Sequence, residues 1–180
     1  YMVAAAATGG DVLVKNVIPK HLEAITAKLV EMGVEVEEYD DAVRVWRTKP
    51  LINCNVKTMP HPGFPTDMQP PMSILLASAE GTSILTDEVW DNRFRYLDEL
   101  RRMGVQVQVD GKVAVFQGVK QLTGAPVKAM DLRGGAALVI AALAAKGETE
   151  IYALHHLDRG YEQLEQTLAS VGANIVRQPI

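Results

Sequence analysis

The least ordinary stretch of the 180-residue chain is Thr58-Met59-Pro60-His61-Pro62-Gly63-Phe64-Pro65-Thr66-Asp67-Met68-Gln69. Three prolines and a glycine stiffen a loop that ends at Asp67, where Met68, Met72, Leu75 and Leu76 begin to recur at helical spacing. A carboxylate held on a rigid loop at a helix start can accept a proton from a substrate hydroxyl. The same Asp67, or Thr66 before it, can equally be a helix N-cap and nothing more. Asp131-Leu132-Arg133-Gly134-Gly135 stands 64 residues further on, again at the mouth of an Ala-rich helix. Backbone amides and an arginine at a helix N-terminus suit an anionic ligand. The plainer alternative is another Asp cap, a solvated Arg133, and glycines that let helices pack closely. Asn92-Arg93 and Asp158-Arg159 recur 66 residues apart at matching strand-to-helix turns. Arginine suits two-pronged recognition of phosphate or carboxylate, although any single one is more often surface charge. Four equivalent turns carrying Asp67, Arg93, Asp131 and Arg159 are a stronger signal, because internal symmetry could bring them towards one end of the domain.

Other reactive side chains carry less. Cys54 lies in the alternating Ile52-Cys54-Val56 run and reads as a small buried hydrophobe on a strand rather than a nucleophile. His155, His156 and Asp158 crowd too closely for a typical metal-binding face, so no metal site is expected. Gly134-Gly135 matches neither a dinucleotide fingerprint nor a phosphate loop.

The elements that must position these residues repeat. Helix exits of the form Met32-Gly33-Val34, Met103-Gly104-Val105 and Val171-Gly172-Ala173 place their glycines 71 and 68 residues apart. A second marker, an Ala-rich helix then a glycine then an alternating strand, recurs in step at Ala4–Gly10, Ile74–Gly81 and Ala136–Gly147. Between these markers lie one-sided helices, with Leu22, Ile25 and Leu29, then Phe94, Leu97, Leu100 and Met103, then Tyr161, Leu164, Leu168 and Val171 on their apolar faces. Period-two runs at Val34–Val36, Val43–Val45, Val105–Val109 and Val113–Val115 predict strands, with Asp110-Gly111 as a hairpin turn. Hairpins imply antiparallel pairs and crossovers imply parallel ones, so an α/β fold with mixed sheets is expected. No linker interrupts the pattern. Residues 1–180 therefore read as one domain with pseudo-repeats at about 1–66, 67–130 and 131–180.

Composition narrows the partners. A chain of this size with 48% hydrophobic residues can bury about 70% of its unfolded surface around one core. A net charge of −4 supplies no positive field for nucleic acid. One cysteine rules out an internal disulfide and fits a reducing, cytoplasmic setting. The richest apolar run, Ala136–Ala145, falls well short of the roughly 20 residues a membrane span needs. Tyr1–Ala7 has no basic flank, so it reads as the last turns of a helix begun upstream rather than a signal peptide, and the chain is expected to be cut from a longer one.

Taken with their order and separations, Pro62–Gln69, Asn92-Arg93-Phe94, Asp131–Ala136 and His156–Glu162 resemble the bacterial UDP-N-acetylglucosamine 1-carboxyvinyltransferases along the whole chain. That resemblance implies an inside-out α/β barrel of βαβαββ units, one domain of two, which agrees with the period found independently. It implies transfer of a carboxyvinyl group from phosphoenolpyruvate to the 3′-hydroxyl of UDP-N-acetylglucosamine, an early step of peptidoglycan synthesis, with phosphate released and no metal or organic cofactor. By motif, Asp67 is similar to the carboxylate that contacts the sugar hydroxyl and acts as its base, and Val89 to a sugar-binding backbone position. Arg93, Asp131, Arg133 and Arg159 look like the polar wall of the phosphoenolpyruvate site, with Arg159 the chief phosphate contact. The family's reactive Cys loop, Lys-Asn pair and uridine-binding segment have no counterpart here, and Cys54 does not match that loop. The implied partner is a missing N-terminal domain of the same protein, and one wall alone is expected to be inactive. Two other readings stay open at this point: a 5-enolpyruvylshikimate-3-phosphate synthase-like enzyme, whose family lacks the Gly63–Asp67 loop, and a non-catalytic interaction domain with ordinary surface arginines.

Overall fold

Three helices rich in alanine and leucine form the middle of the molecule. The computed structural model describes residues 1–179. Helix α1 is Met2–Thr8, α3 is Gln69–Ser78 and α5 is Leu132–Ala144. In α3 every residue from Gln69 to Ala77 is buried, and in α5 every residue from Gly134 to Ala141. A helix apolar on all sides can only be a core helix, and these three pack against one another. Alanines and glycines let their axes approach closely.

The sheets lie outside. The first contains β1 (Asp11–Lys15), β2 (Glu35–Glu38) and β3 (Ala42–Trp46) in the order β1-β3-β2, all antiparallel. The second contains β4 (Val56–Thr58), β5 (Thr82–Asp87), β6 (Gln106–Asp110) and β7 (Val113–Gln117) in the order β4-β5-β7-β6. Its β4–β5 pair is parallel and the others antiparallel, so this sheet is mixed. The third is the parallel pair β8 (Pro126–Lys128) and β9 (Glu150–Tyr152). Amphipathic helices α2 (Glu23–Glu31), α4 (Leu97–Arg102), α6 (His155–Asp158) and α7 (Leu164–Ser170) complete the units. The second unit reads β4-α3-β5-α4-β6-β7, a full βαβαββ set whose sheet excludes its own helices to the inside. Helices in and sheets out is the inside-out α/β barrel arrangement expected from the sequence.

The markers that revealed the repeat do the work assigned to them. Gly33, Gly104 and Gly172 adopt φ of 85°, 93° and 99°, the left-handed conformation that ends a helix without a Cβ penalty. At the first helix the left-handed residue is Gly9, one position earlier than the pattern suggested. The β6–β7 hairpin turns through Gly111-Lys112, since Asp110 already pairs with Val113.

One expected strand is shorter. Ile52-Cys54-Val56 alternates, yet only Val56–Thr58 is a strand, with Ile52 making an isolated bridge to Glu80. Asparagine side chains replace the main-chain ladder here: Asn53 donates to the Thr82 carbonyl at 2.8 Å and Asn55 accepts from the Ile84 amide at 3.0 Å. Cys54 is nonetheless buried, and burial pushes its thiol up to about 11, so it stays protonated and inert near neutrality.

The chain after β7 runs tight over the exit of α3. A Cβ on Gly118 would lie 1.7 Å from the Ala79 carbonyl oxygen, a backbone atom that cannot rotate away. Gly118→Ala should therefore destabilise by about 1–3 kcal/mol, lowering the melting temperature by several degrees. Gly10→Ala, whose Cβ would meet the Thr8 hydroxyl at 3.2 Å and the Ala5 backbone only at an ordinary 3.9 Å, should change it little. Equal melting temperatures for the two variants would show that the α3 exit yields.

Candidate active site

The loop before α3 is closed by its own backbone. Met59 donates to the Phe64 carbonyl at 2.9 Å and Gly63 to the Pro60 carbonyl at 2.9 Å. A Cβ on Gly63 would sit 2.5 Å from the Met59 Cβ, so only glycine fits this turn. Phe64 plugs into the core, and Pro65 leads into a short 3₁₀ turn, Thr66–Met68, that carries Asp67 at its centre.

Asp67 does not cap α3. The first residues of that helix are Gln69-Pro70-Pro71, and its N-cap position, Met68, makes no side-chain cap bond. An N-cap side chain bonds the amides of the second or third helical residue, and prolines have none. The Asp67 carboxylate is left free to point outwards. Its Oδ1 accepts from Arg93 Nη2 at 3.1 Å and its Oδ2 from Arg133 Nη2 at 2.9 Å. Residues from three separate segments, the α3 entry, the β5–α4 turn and the first turn of α5, thus meet at one carboxylate. All three side chains remain partly open to solvent, so the two ion pairs add little stability. Two guanidinium groups on one carboxylate leave a local excess of one positive charge.

Asp131 has the opposite fate. Its Oδ1 accepts from the Gly134 amide at 2.7 Å, a true N-cap of α5, and this fixes the turn that presents Arg133. Val89 is surface-exposed, and its amide donates to Asp87 Oδ1 at 3.0 Å.

Arg159 follows α6 and is exposed, with no side-chain partner among the described residues. Its turn is nevertheless docked beside the others, since a Cβ on Gly160 would come within 2.6 Å of Leu132, the residue between Asp131 and Arg133. Neighbouring Asp158 does not neutralise it. Arg177 holds Asp158 with two bonds, at 2.6 and 3.1 Å, and keeps its carboxyl below the usual carboxylate range. The His155 and His156 rings lie 4.1 Å apart at a tilt of 37°, and among the described residues no group of three His, Cys, Asp or Glu side chains could hold a metal.

Three residues behind or beside this wall were not legible as site residues. Asp87 is fully buried and accepts from both the Asp67 turn and the Val89-Trp90 turn. Tyr96 is buried, donates to Gln69 Oε1 at 2.7 Å, and has its phenol pKa raised chiefly by that burial. Tyr161, assigned from its spacing to a helix face, lies before α7 begins. Its phenol pKa is raised first by burial and then by Tyr1, with Arg133 pulling it down and Asp67 up.

Comparisons with known proteins place the chain in a family. The sequence profile of the EPSP synthase (3-phosphoshikimate 1-carboxyvinyltransferase) family matches residues 1–168. The chain is 62% identical, over 98% of its length, to UDP-N-acetylglucosamine 1-carboxyvinyltransferase 3 of Caldanaerobacter subterraneus subsp. tengcongensis, of which it covers 42%. Most of the similar curated relatives are covered to about the same extent, so the chain spans about two fifths of their length. It is 55% identical over 99% of its length to the UDP-N-acetylglucosamine 1-carboxyvinyltransferase of Desulfofundulus thermocisternus, covering 74% of that protein. Among solved structures, the enolpyruvyl transferase NikO from Streptomyces tendae superposes with a TM-score of 0.86 at 32% identity, over 96% of this chain and 42% of that one. EPSP synthase from Acinetobacter baumannii, at 19% identity over 98% of this chain and 45% of that one and a TM-score of 0.72, shares the fold. By profile, by identity and by superposition, this chain belongs to the EPSP synthase family, and within it to the UDP-N-acetylglucosamine 1-carboxyvinyltransferases.

Proposed function

We propose that the chain forms the C-terminal domain of a two-domain cytoplasmic enzyme that moves the carboxyvinyl group of phosphoenolpyruvate to the 3′-hydroxyl of UDP-N-acetylglucosamine and releases inorganic phosphate, serving peptidoglycan synthesis and, through it, cell shape and division. The observation that carries this reading is one carboxylate, Asp67, shared between Arg93 and Arg133 from different elements. Phosphoenolpyruvate presents a phosphate and a carboxylate, both of which compete for guanidinium groups. An incoming donor that takes Arg93, Arg133 and Arg159 releases Asp67 from its pairs. The freed carboxylate then accepts the proton of the sugar hydroxyl as its oxygen bonds to the donor carbon, and the arginines offset the charge of the departing phosphate. Asp131 serves the same wall by capping the helix that carries Arg133, and the Val89 backbone contacts the sugar. The remaining groups, including the one that protonates the vinyl carbon on addition and the one that takes a proton back from it as phosphate leaves, belong to the rest of the protein. A shikimate-specific reading is less well supported, because the likeness to EPSP synthase is one of fold at 19% identity while the relatives at 51–62% carry the UDP-sugar name.

In the complete transferase, Asp67→Asn should lower turnover by about 10²- to 10⁴-fold with the melting temperature nearly unchanged, since Asp67 caps no helix. Phosphate release with both substrates is the assay, and near-normal turnover would remove Asp67 as the base. Arg159→Lys keeps the charge and loses the planar fork. It should cut kcat/KM for phosphoenolpyruvate by about 10- to 150-fold and leave the KM for the UDP-sugar alone. A loss confined to the UDP-sugar would reassign this arginine.

A further inference from the structure

Asp87 ends β5 on its inward face, where the strand alternation buries Ser83, Leu85 and Asp87 in turn. It is completely shielded from solvent, and no lysine or arginine pairs with it among the described residues. Five donors surround it instead. Oδ1 accepts from the Thr58 hydroxyl at 2.8 Å and from the Val89 and Trp90 amides at 3.0 and 3.1 Å. Oδ2 accepts from the Thr66 hydroxyl at 2.9 Å and, at 3.4 Å, from Gln69 Nε2. Thr66 and Gln69 bracket Asp67 on both sides, and the Thr58 hydroxyl in turn accepts from the Glu88 amide at 3.1 Å. One buried carboxylate therefore ties together strand β4, the turn carrying Asp67, the start of α3 and the turn leading to Arg93.

Resting on the proposed function, we infer that Asp87 is a positioning residue, which holds the Asp67 turn and the Val89-Trp90 turn in one fixed relation so that the base and the sugar-contacting backbone face the same substrate. Stability alone does not call for a charge here, because a buried ion is costly to desolvate and a well-packed neutral group is often as stable. What a carboxylate adds is two acceptor oxygens in a fixed plane, each reaching a different turn. Charge-assisted bonds to amides and hydroxyls are short and directional, which suits alignment. The Gln69 side chain that donates to Asp87 also accepts from Tyr96, whose Cβ abuts the α5 entry at Gly134, so the same network reaches the helix presenting Arg133.

The test is made in the complete transferase with five variants: Asp87→Asn, Thr66→Val, Asp67→Asn, and each of the first two combined with the third. Asp87→Asn should lower kcat about 100-fold, the effect of a displacement near 1 Å in a reacting group, while the KM for phosphoenolpyruvate stays within about threefold of normal. Thr66→Val, which keeps the side-chain shape and removes one bond to Asp87, should lower kcat about tenfold and fold normally even if Asp87→Asn does not. In the Asp67→Asn background neither change should cost more than about a further twofold, because groups that act through Asp67 lose their effect once it is gone. Equal losses in both backgrounds would mean a purely structural role and overturn the inference, as would full kcat in a folded Thr66→Val enzyme. If Asp67→Asn is itself fully active, the proposed function and this inference fall together; if it is impaired while Asp87→Asn and Thr66→Val are not, only this inference falls.

Discussion

The approach of α3 to α5 sets the geometry of everything at their N-terminal ends. Neither helix has a polar face, and each is buried along most of its length, so their separation is decided by the side chains between them and around them. The start of α5 is also packed tightly against its other neighbours. A Cβ on Gly134 would stand 2.8 Å from the Tyr96 Cβ, and one on Gly135 would meet Leu157 at 3.1 Å and Ala129 at 3.2 Å. Glycine at both positions lets the α5 entry seat against the β5–α4 connection and the third sheet. Only then do the Asp67 carboxylate and the Arg133 guanidinium, 66 residues apart in sequence, come within 2.9 Å. The inside-out plan has a functional corollary. With sheets outside and helices inside, the entries of the central helices open at one end of the domain, and the polar residues of the repeat collect there.

The charges at that end are arranged with an asymmetry that ion pairing for stability would not need. Asp67 is shared by two arginines, and Asp131 is engaged by its own helix. Asp158, the nearest counter-ion to Arg159 in sequence, is drawn away by Arg177, which also bonds Glu165. Among the described residues Arg159 is thereby left without a paired carboxylate beside a wall already carrying excess positive charge, in a chain whose net charge is −4. A protein with acidic composition thus concentrates positive charge at one place, the condition for attracting a small anion without attracting nucleic acid.

Much of this was legible in the sequence, and what was not had a physical reason. Periodicity exposed the three units because each must bury one all-apolar helix and end its amphipathic helix with a left-handed glycine, and both needs constrain residue type. Asp67, Arg93, Asp131 and Arg159 stood out because the repeat put them at equivalent turns, and Arg133 because it follows Asp131 at a helix start. Asp87 did not, since a lone aspartate closing an alternating strand looks like its polar edge, and its partners Thr58 and Thr66 lie 29 and 21 residues away. The shortening of the Cys54 strand escaped for a related reason: Asn53 and Asn55 hydrogen-bond through their side chains to β5, and period-two alternation does not register which amide group fills a ladder. Tyr161 kept helical spacing with Leu164 and Leu168 although the helix begins only at Leu164.

The equivalence of Asp67 and Asp131 shows how one repeat yields two different functions from the same residue. Both stand at the entry of a central helix, and capping would be the default fate of each. At α5 the next residues are Leu132-Arg133-Gly134, all with amide hydrogens, and the Gly134 amide takes the Asp131 carboxylate. At α3 the N-cap position is Met68, one residue past Asp67, and the helix starts Gln69-Pro70-Pro71, where two prolines suit the first turn and remove the donors a cap would use. The helix loses nothing by this, because its unpaired amides at that end are fewer to begin with. The carboxylate gains freedom: denied a backbone partner, Asp67 turns outwards to the arginines, while the work of anchoring its turn passes to Thr66 and Gln69 through Asp87. The offset of one residue and the two prolines together leave Asp67 free of capping and turned to the arginines, a distinction that residue type at position 67 alone could never reveal.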